Sequence, residues 1–346
     1  MLTEAQQSQI DWPFREYDGP HSPGCALGII YRGQLVYGRG YGLADIARAI
    51  PNTTATAFGI ASESKQFTAA CIALLVGEGR LGLDNDIRQW IPTMPWFGKT
   101  ITIQHLVHHS SGLPDYYDDY VRRGLIENGL SLEQLLNFAL GRFDQLDFVP
   151  GDRCSYSNTG YLLLAAVVEK VSGMPFSRFL QDRILAPLGM KSTLVRDRVD
   201  MIIQGQAIPY VRGSSGGFAI KHYSNDIAPG DGKMYSTIED LLLWDRNFYE
   251  GRIGRPGFME LMLSPGRLND GRVCRYAFGL DLGEFAPATC AGIPVVTHGG
   301  AHGGFESIIL RLPARQFSVI LLCNTRDSRF KPLAYQLAGI LAEEFH

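Results

Sequence analysis

Residues 58–75 read FGIASESKQFTAACIALL. From Ser62 onward the apolar residues Phe67, Ala70, Cys71, Leu74 and Leu75 recur at helical spacing, which predicts a helix over Ser62–Glu78 with Gly79 as its stop. A serine in the first turn lies beside unpaired backbone N–H groups and the positive end of the helix. Lys65, three positions on, shares its face one turn away. A serine hydroxyl is a poor nucleophile until a neighbour takes its proton. A lysine in an enclosed site can act as a neutral base, because burial disfavours its charge. The same residues also read as an N-cap serine, Ser62 or Ser64, followed by a solvated lysine. S-x-x-K alone leaves both readings open.

Upstream, ALGIIYRGQLVYGRGYG (26–42) is two β-rich runs broken at Arg32-Gly33, a hairpin signal. Downstream, Asn158–Val171 predicts a helix apolar on most sides and ended by Gly173. Ser177–Leu185 predicts another, and STIEDLLLWDRNF opens on a cap at Ser236 with acids at Glu239 and Asp240. PVVTHGG (294–300) predicts a strand. ESIILRL and FSVILLCN predict a hairpin around Pro313-Ala314-Arg315, and Pro332–Phe345 an amphipathic closing helix. Strands at both ends with helices between them predict an α/β (α+β) fold. An antiparallel sheet is assembled from both termini and flanked by helices, with a mostly helical region inserted. The chain reads as one catalytic domain over 1–346, its sheet region about 1–80 plus 255–346 and its helical region about 81–254.

Two further clusters carry chemistry. In Tyr156-Ser157-Asn158 the first and third side chains of an extended segment point the same way, so a phenol and a carboxamide can face one cleft. The alternative is that Asn158 caps the following helix and Tyr156 packs. In His298-Gly299-Gly300, glycines after a strand let a substrate backbone approach closely, or simply mark the strand's exit.

Composition narrows the function classes. The 346 residues are 45% hydrophobic and 19% charged with a net charge of −3, so nothing points to nucleic acid. No apolar run approaches the roughly 20 residues of a membrane span. The first residues, MLTEAQQSQIDWPF, do not resemble a signal peptide, and a cytoplasmic protein is expected. None of Cys25, Cys71, Cys154, Cys274, Cys290 and Cys323 forms a C-x-x-C pair, and reduced, buried thiols are expected. His105, His108 and His109 lack H-E-x-x-H spacing, so metal is not expected from them, nor from His298 with His302. Gly213–Gly217 matches G-x-S-x-G, but GGFAIKHYSN after it is not helical, so a turn is expected rather than a nucleophile elbow. Asp115–Tyr120 is an acidic, aromatic loop that either rims a site or is solvated.

S-x-x-K, Y-x-N and H-G-G in this order resemble the serine β-lactamase and penicillin-binding-protein family, in the branch of class C β-lactamases, D-aminopeptidases, esterases and DD-peptidases. ITIQHLVHHSSGLPDY, FVPGDRCSYSNTGYLLL, APLGMKST and GDGKMYSTIEDLLLW extend the resemblance over nearly the whole chain. It implies that Ser62 forms an acyl-enzyme, that Lys65 and Tyr156 share the proton traffic, and that Asn158 orients the substrate. The backbone N–H groups of Ser62 and Ala301, beyond His298 and Gly300, would form the oxyanion hole. His298 stands where β-lactamases and DD-peptidases carry a lysine, which weakens the expected grip on a substrate carboxylate. The implied function is a cofactor-free serine hydrolase of small amides, peptides or esters, with weak β-lactamase action at best. The alternatives are an acyltransferase with the same nucleophile and a non-catalytic binding protein on the same scaffold.

Overall fold

The computed structural model describes residues 2–125, 129–214, 216–221, 227–285, 292–327 and 329–342. Its main sheet has six antiparallel strands among the described residues: β1 (Cys25–Tyr31), β2 (Gln34–Tyr41), β3 (Asp281–Glu284), β4 (Pro294–His302), β5 (Phe305–Leu312) and β6 (Phe317–Cys323), in the order β3-β4-β5-β6-β1-β2. The two chain ends meet at β1 and β6, where Cys25 lies opposite Cys323 and Tyr31 opposite Phe317. Arg32 and Gly33 turn the first hairpin with φ of 48° and 70°. Two successive left-handed residues match the twist of a strand pair.

Both faces of the central strands are covered, which explains why FSVILLC is apolar without alternation. Leu27 and Ile29 pack with Ile10, Phe14, Leu333 and Leu337 from the terminal segments. Ala26 and Ile30 point the other way, into a larger core with Phe67, Ile238 and Trp244. That core holds α1 (Ser64–Gly77), α2 (Asn158–Ser172) and α3 (Ile238–Glu250), while α4 (Phe330–Ala342) covers the first face. Helix α1 is buried continuously from Ser64 to Leu75, so it is the central helix of the molecule. A buried polar network locks it in place. Arg311 Nε donates to Asp245 Oδ1 at 2.7 Å, and Arg311 Nη1 and Trp244 Nε1 both donate to Gln66 Oε1, at 3.3 and 3.2 Å.

Several local expectations shift. The helix expected from Ser62 opens as a 3-10 turn over Ala61–Glu63. Ser157, not Asn158, caps α2 by accepting from Gly160 N, and Gly173 ends it at φ 74°. Thr237 caps α3 in place of Ser236, which lies in the strand Met234–Ser236 with its hydroxyl on Thr193. Gly213–Gly217 turns between the strands Tyr210–Arg212 and Phe218–Ile220, with Ser215 itself outside the described residues. Residues 343–345, over which the closing helix was expected to run on, are likewise outside them.

The expectation of reduced thiols fails for one pair. Cys154 and Cys274 form a disulfide with Cα atoms 6.0 Å apart across 120 residues of chain. Nothing in their local sequence pairs them; the fold brings the segments together. Cys25, Cys71 and Cys323 are free and buried, and Cys290 lies outside the described residues.

Candidate active site

The position of Ser62, the candidate nucleophile, is set by backbone. Strand Phe58–Gly59 pairs with Tyr235–Ser236, and Ile60 N donates to Met234 O at 3.0 Å. Ala61 then turns at φ 46°, a conformation that costs an L-residue roughly 1–2 kcal/mol. The surrounding pairing holds it, and Ser62 emerges at the head of α1. Ser64 Oγ donates to Ala61 O at 2.6 Å and is buried, so its hydroxyl braces this turn. Ser62 is the serine left at the surface of the cleft.

Lys65, fully buried, donates to three acceptors: Ser62 Oγ at 3.2 Å, Asn158 Oδ1 at 2.8 Å and the Asp231 carbonyl at 2.7 Å. Asn158 Oδ1 and the Asp231 carbonyl can only accept, whereas the Ser62 hydroxyl can also donate, so a neutral amine keeps all three contacts with its lone pair turned to Ser62 Oγ. Asn158 is oriented in turn by Asp115, whose Oδ2 accepts from Asn158 N at 2.9 Å and from Nδ2 at 3.0 Å. Burial raises the Asp115 pKa, against the opposing pull of the Asn158 and Tyr117 backbone donors. Tyr156 is 46% exposed, and its ring centre lies 4.9 Å from Lys65 Nζ. Its other side rests on His109, ring centres 4.4 Å apart, and His109 Nδ1 accepts from Ser157 N.

Ser62, Tyr156, Asn158 and Asp231 open on one cleft of about 220 Å³, which Ala61, Tyr117, Gly232, Lys233, Ala301 and His302 complete. Strand β4 closes it beside Ser62. A Cβ on Gly300 would stand 2.2 Å from Ile60 O and 3.0 Å from Ser62 N, so only glycine lets the strand approach this closely.

His298 is not on the cleft wall. It is buried; its Nδ1 donates to Gly299 O at 2.7 Å, so its Nε2 accepts from Tyr276 Oη at 2.8 Å. Burial, with the nearby charge of Lys65, pushes its pKa down to about 3. It is therefore a neutral strut at pH 7. His105 takes part in capping the helix Ile103–Val107, and His108 Nδ1 donates to Tyr276 O.

Residues 115–117 of the acidic, aromatic loop belong to the site: Tyr116 Oη donates to Asp231 Oδ2 at 2.8 Å, and Tyr117 Oη shares a 2.8 Å hydrogen bond with His302 Nδ1 across the cleft. Asp231 and Lys233 carried no site role in the sequence reading; Tyr117 entered it only as part of a loop that either rims a site or is solvated, and His302 only as a metal ligand not expected. Asp231 and Lys233 lie within GDGKMY, which resembles a family block but has no periodicity that assigns a role.

A sequence profile described as beta-lactamase matches residues 13–342. The chain belongs to the beta-lactamase family. It is 31% identical over 310 residues to penicillin-binding protein 4* of Bacillus subtilis, covering 85% of this chain and 66% of that protein. It is 26% identical over 319 residues to a D-aminopeptidase of Gluconobacter oxydans, covering 92% of this chain and 59% of that protein. The chain thus spans between half and two thirds of these relatives' lengths. Among solved structures, the octameric penicillin-binding protein homologue of Pyrococcus abyssi superposes with a TM-score of 0.83 at 28% identity, over 99% of this chain and 78% of that one. The D-amino acid amidase of Ochrobactrum anthropi superposes at 0.80 with 23% identity, over 99% and 100%, a likeness of fold.

Proposed function

We propose that this chain is a serine hydrolase that cleaves small amides, peptides or esters through an acyl-enzyme on Ser62. The observation that supports it most is the 3.2 Å contact of Lys65 Nζ with Ser62 Oγ inside the cleft that Tyr156 and Asn158 also line. Ser62 attacks the carbonyl, and its proton passes to the Lys65–Tyr156 pair, which returns it to the leaving group. The backbone N–H groups of Ser62 and Ala301 face the developing oxyanion, a contribution on the order of 100- to 1,000-fold per donor. Asn158 holds Lys65 and the substrate amide. Water then releases the acyl group.

A neutral His298 supplies no charge for a β-lactam carboxylate, so β-lactamase action is weak at best; turnover at the rate of a dedicated β-lactamase contradicts this. No described helix is long and apolar enough to cross a membrane. Placement in the cytoplasm is part of the proposal, and the Cys154–Cys274 bond weighs against it, because such bonds persist in oxidising compartments.

The test is covalent labelling with a fluorophosphonate, read as a mass shift on the Ser62 peptide and lost in Ser62→Ala. Absence of label under all conditions overturns the hydrolase. Product analysis with an added alcohol or amine acceptor measures how much acyl group is transferred rather than hydrolysed.

A further inference from the structure

Glu63 follows Ser62 in the turn Ala61–Glu63, yet the two side chains part: Ser62 opens on the cleft, and Glu63 is fully buried. Glutamate is almost never fully buried without a partner. Both carboxyl oxygens of Glu63 nevertheless lack a completed hydrogen bond. The groups that act on it are the Arg311 guanidinium, the Ser307 hydroxyl and the Ile309 backbone, and all three belong to β5. The side chain therefore reaches from the turn that carries Ser62 to that strand.

The guanidinium does not neutralise it. Arg311 Nε donates to Asp245 Oδ1 at 2.7 Å and Nη1 to Gln66 Oε1 at 3.3 Å, while Nη2 makes no hydrogen bond. One cation thus stands among two buried carboxyl groups, and its ion pair is with Asp245. A buried carboxylate left without a cation takes up a proton instead. Burial accordingly drives the Glu63 pKa well above the usual carboxylate range, against the weaker pull of Arg311, Ser307 and Ile309. Glu63 is therefore a neutral acid with a proton to donate.

Ser307 is the acceptor beside it. The Ser307 hydroxyl spends its own proton on Ile60 O, at 2.9 Å, which leaves its lone pairs in need of a donor. Ser307 also lies opposite Gly300 in the sheet, and a Cβ on Gly300 would stand 2.7 Å from Ser307 Oγ. Ser307 thus sits where β4, β5 and the turn before Ser62 meet.

We infer that Glu63 is a positioning residue for the reaction at Ser62: its acid proton bonds the Ser307 hydroxyl and clamps the Ile60–Ser62 turn onto β4 and β5. The clamp sets how far the backbone N–H of Ser62 stands from that of Ala301. The inference rests on the hydrolase reading and goes beyond it, because Glu63 touches no substrate and acts only through Ser307 and the turn.

Hydrolysis of p-nitrophenyl acetate and the rate of fluorophosphonate labelling at Ser62 test it. Glu63→Gln keeps a neutral donor of the same shape and stays within about threefold of wild type in both. Glu63→Met, of similar size without a donor, lowers kcat and the labelling rate about 10- to 100-fold with KM little changed, the range of lost positioning. Ser307→Ala is at least as damaging, and Glu63→Met adds nothing further to it, the non-additivity of two residues in one bonded pair. The infrared difference spectrum of wild type minus Glu63→Gln at pH 7 shows the carbonyl stretch of a protonated acid. This spectrum and Ser307→Ala decide the matter if Glu63→Met does not fold. Carboxylate bands in that spectrum, a Gln variant as impaired as the Met variant, wild-type rates in Glu63→Met, or additive losses overturn the assignment. Label on Ser62 at wild-type rates in every variant removes only the role of Glu63, whereas no label on the wild type removes the hydrolase itself.

Discussion

Tyr276 Oη donates a 2.8 Å hydrogen bond to His298 Nε2, and this bond together with burial fixes His298 as a neutral imidazole. Its pKa falls to about 3, against about 6.5 in an unfolded chain. Between those values the unfolded chain binds a proton that the folded one refuses. The stability linked to this residue is therefore fully present above about pH 6.5 and is lost as pH falls towards 3, by up to about 1.36 kcal/mol per pH unit. Urea denaturation at pH 7, 6, 5 and 4 is expected to show His298→Asn losing about one proton's worth of this slope. An unchanged slope contradicts the neutral-strut assignment.

Cys154 lies two residues before Tyr156 and Cys274 two before Tyr276, so their disulfide couples the segments of two tyrosines whose rings meet edge to face with centres 6.1 Å apart. Closing 120 residues of unfolded chain stabilises by about 2–4 kcal/mol. Wild-type protein is expected to lose that much on addition of dithiothreitol in guanidinium melts. The Cys154→Ser/Cys274→Ser variant is expected to start from the lower stability and to ignore the reductant. A wild type insensitive to reductant rules the link out.

Asp115 accepts from both nitrogens of Asn158 and so aims its carbonyl oxygen at Lys65. Asp115→Asn offers a partly donor-bearing group to those donors and disturbs that aim. kcat is expected to fall about 10- to 100-fold with KM changed little, in the range of lost positioning. A change confined to KM instead assigns Asp115 to substrate binding.

Gly300 packs against the Ile60 carbonyl and the Ser62 amide. Gly300→Ala must push β4 off this turn and move Ala301 N away from the proposed oxyanion position. A loss of about 100-fold or more in kcat is expected, with circular dichroism near wild type. Full activity excludes β4 from the oxyanion hole.

The chain alone determined the features set by local geometry. Ser62 and Lys65 share a helix face because three residues make nearly one turn. The Arg32-Gly33 hairpin and the Pro313–Arg315 hairpin follow from apolar runs and turn residues, and the order of strands and helices gives the antiparallel sheet joined from both ends. Tyr156 and Asn158 were legible as a pair because extended residues two apart point alike. Spacing left Ser62 and Ser64 both open as the cap, and it is tertiary structure that turns Ser62 to the cleft and spends the Ser64 hydroxyl on Ala61 O. It also decided that His298 is a strut, that Cys154 meets Cys274, and that Lys233 borders the cleft. Each depends on desolvation or on contact between segments far apart in sequence. Such effects arise when distant surfaces close over one another, and no period of 2 or 3.6 residues encodes them.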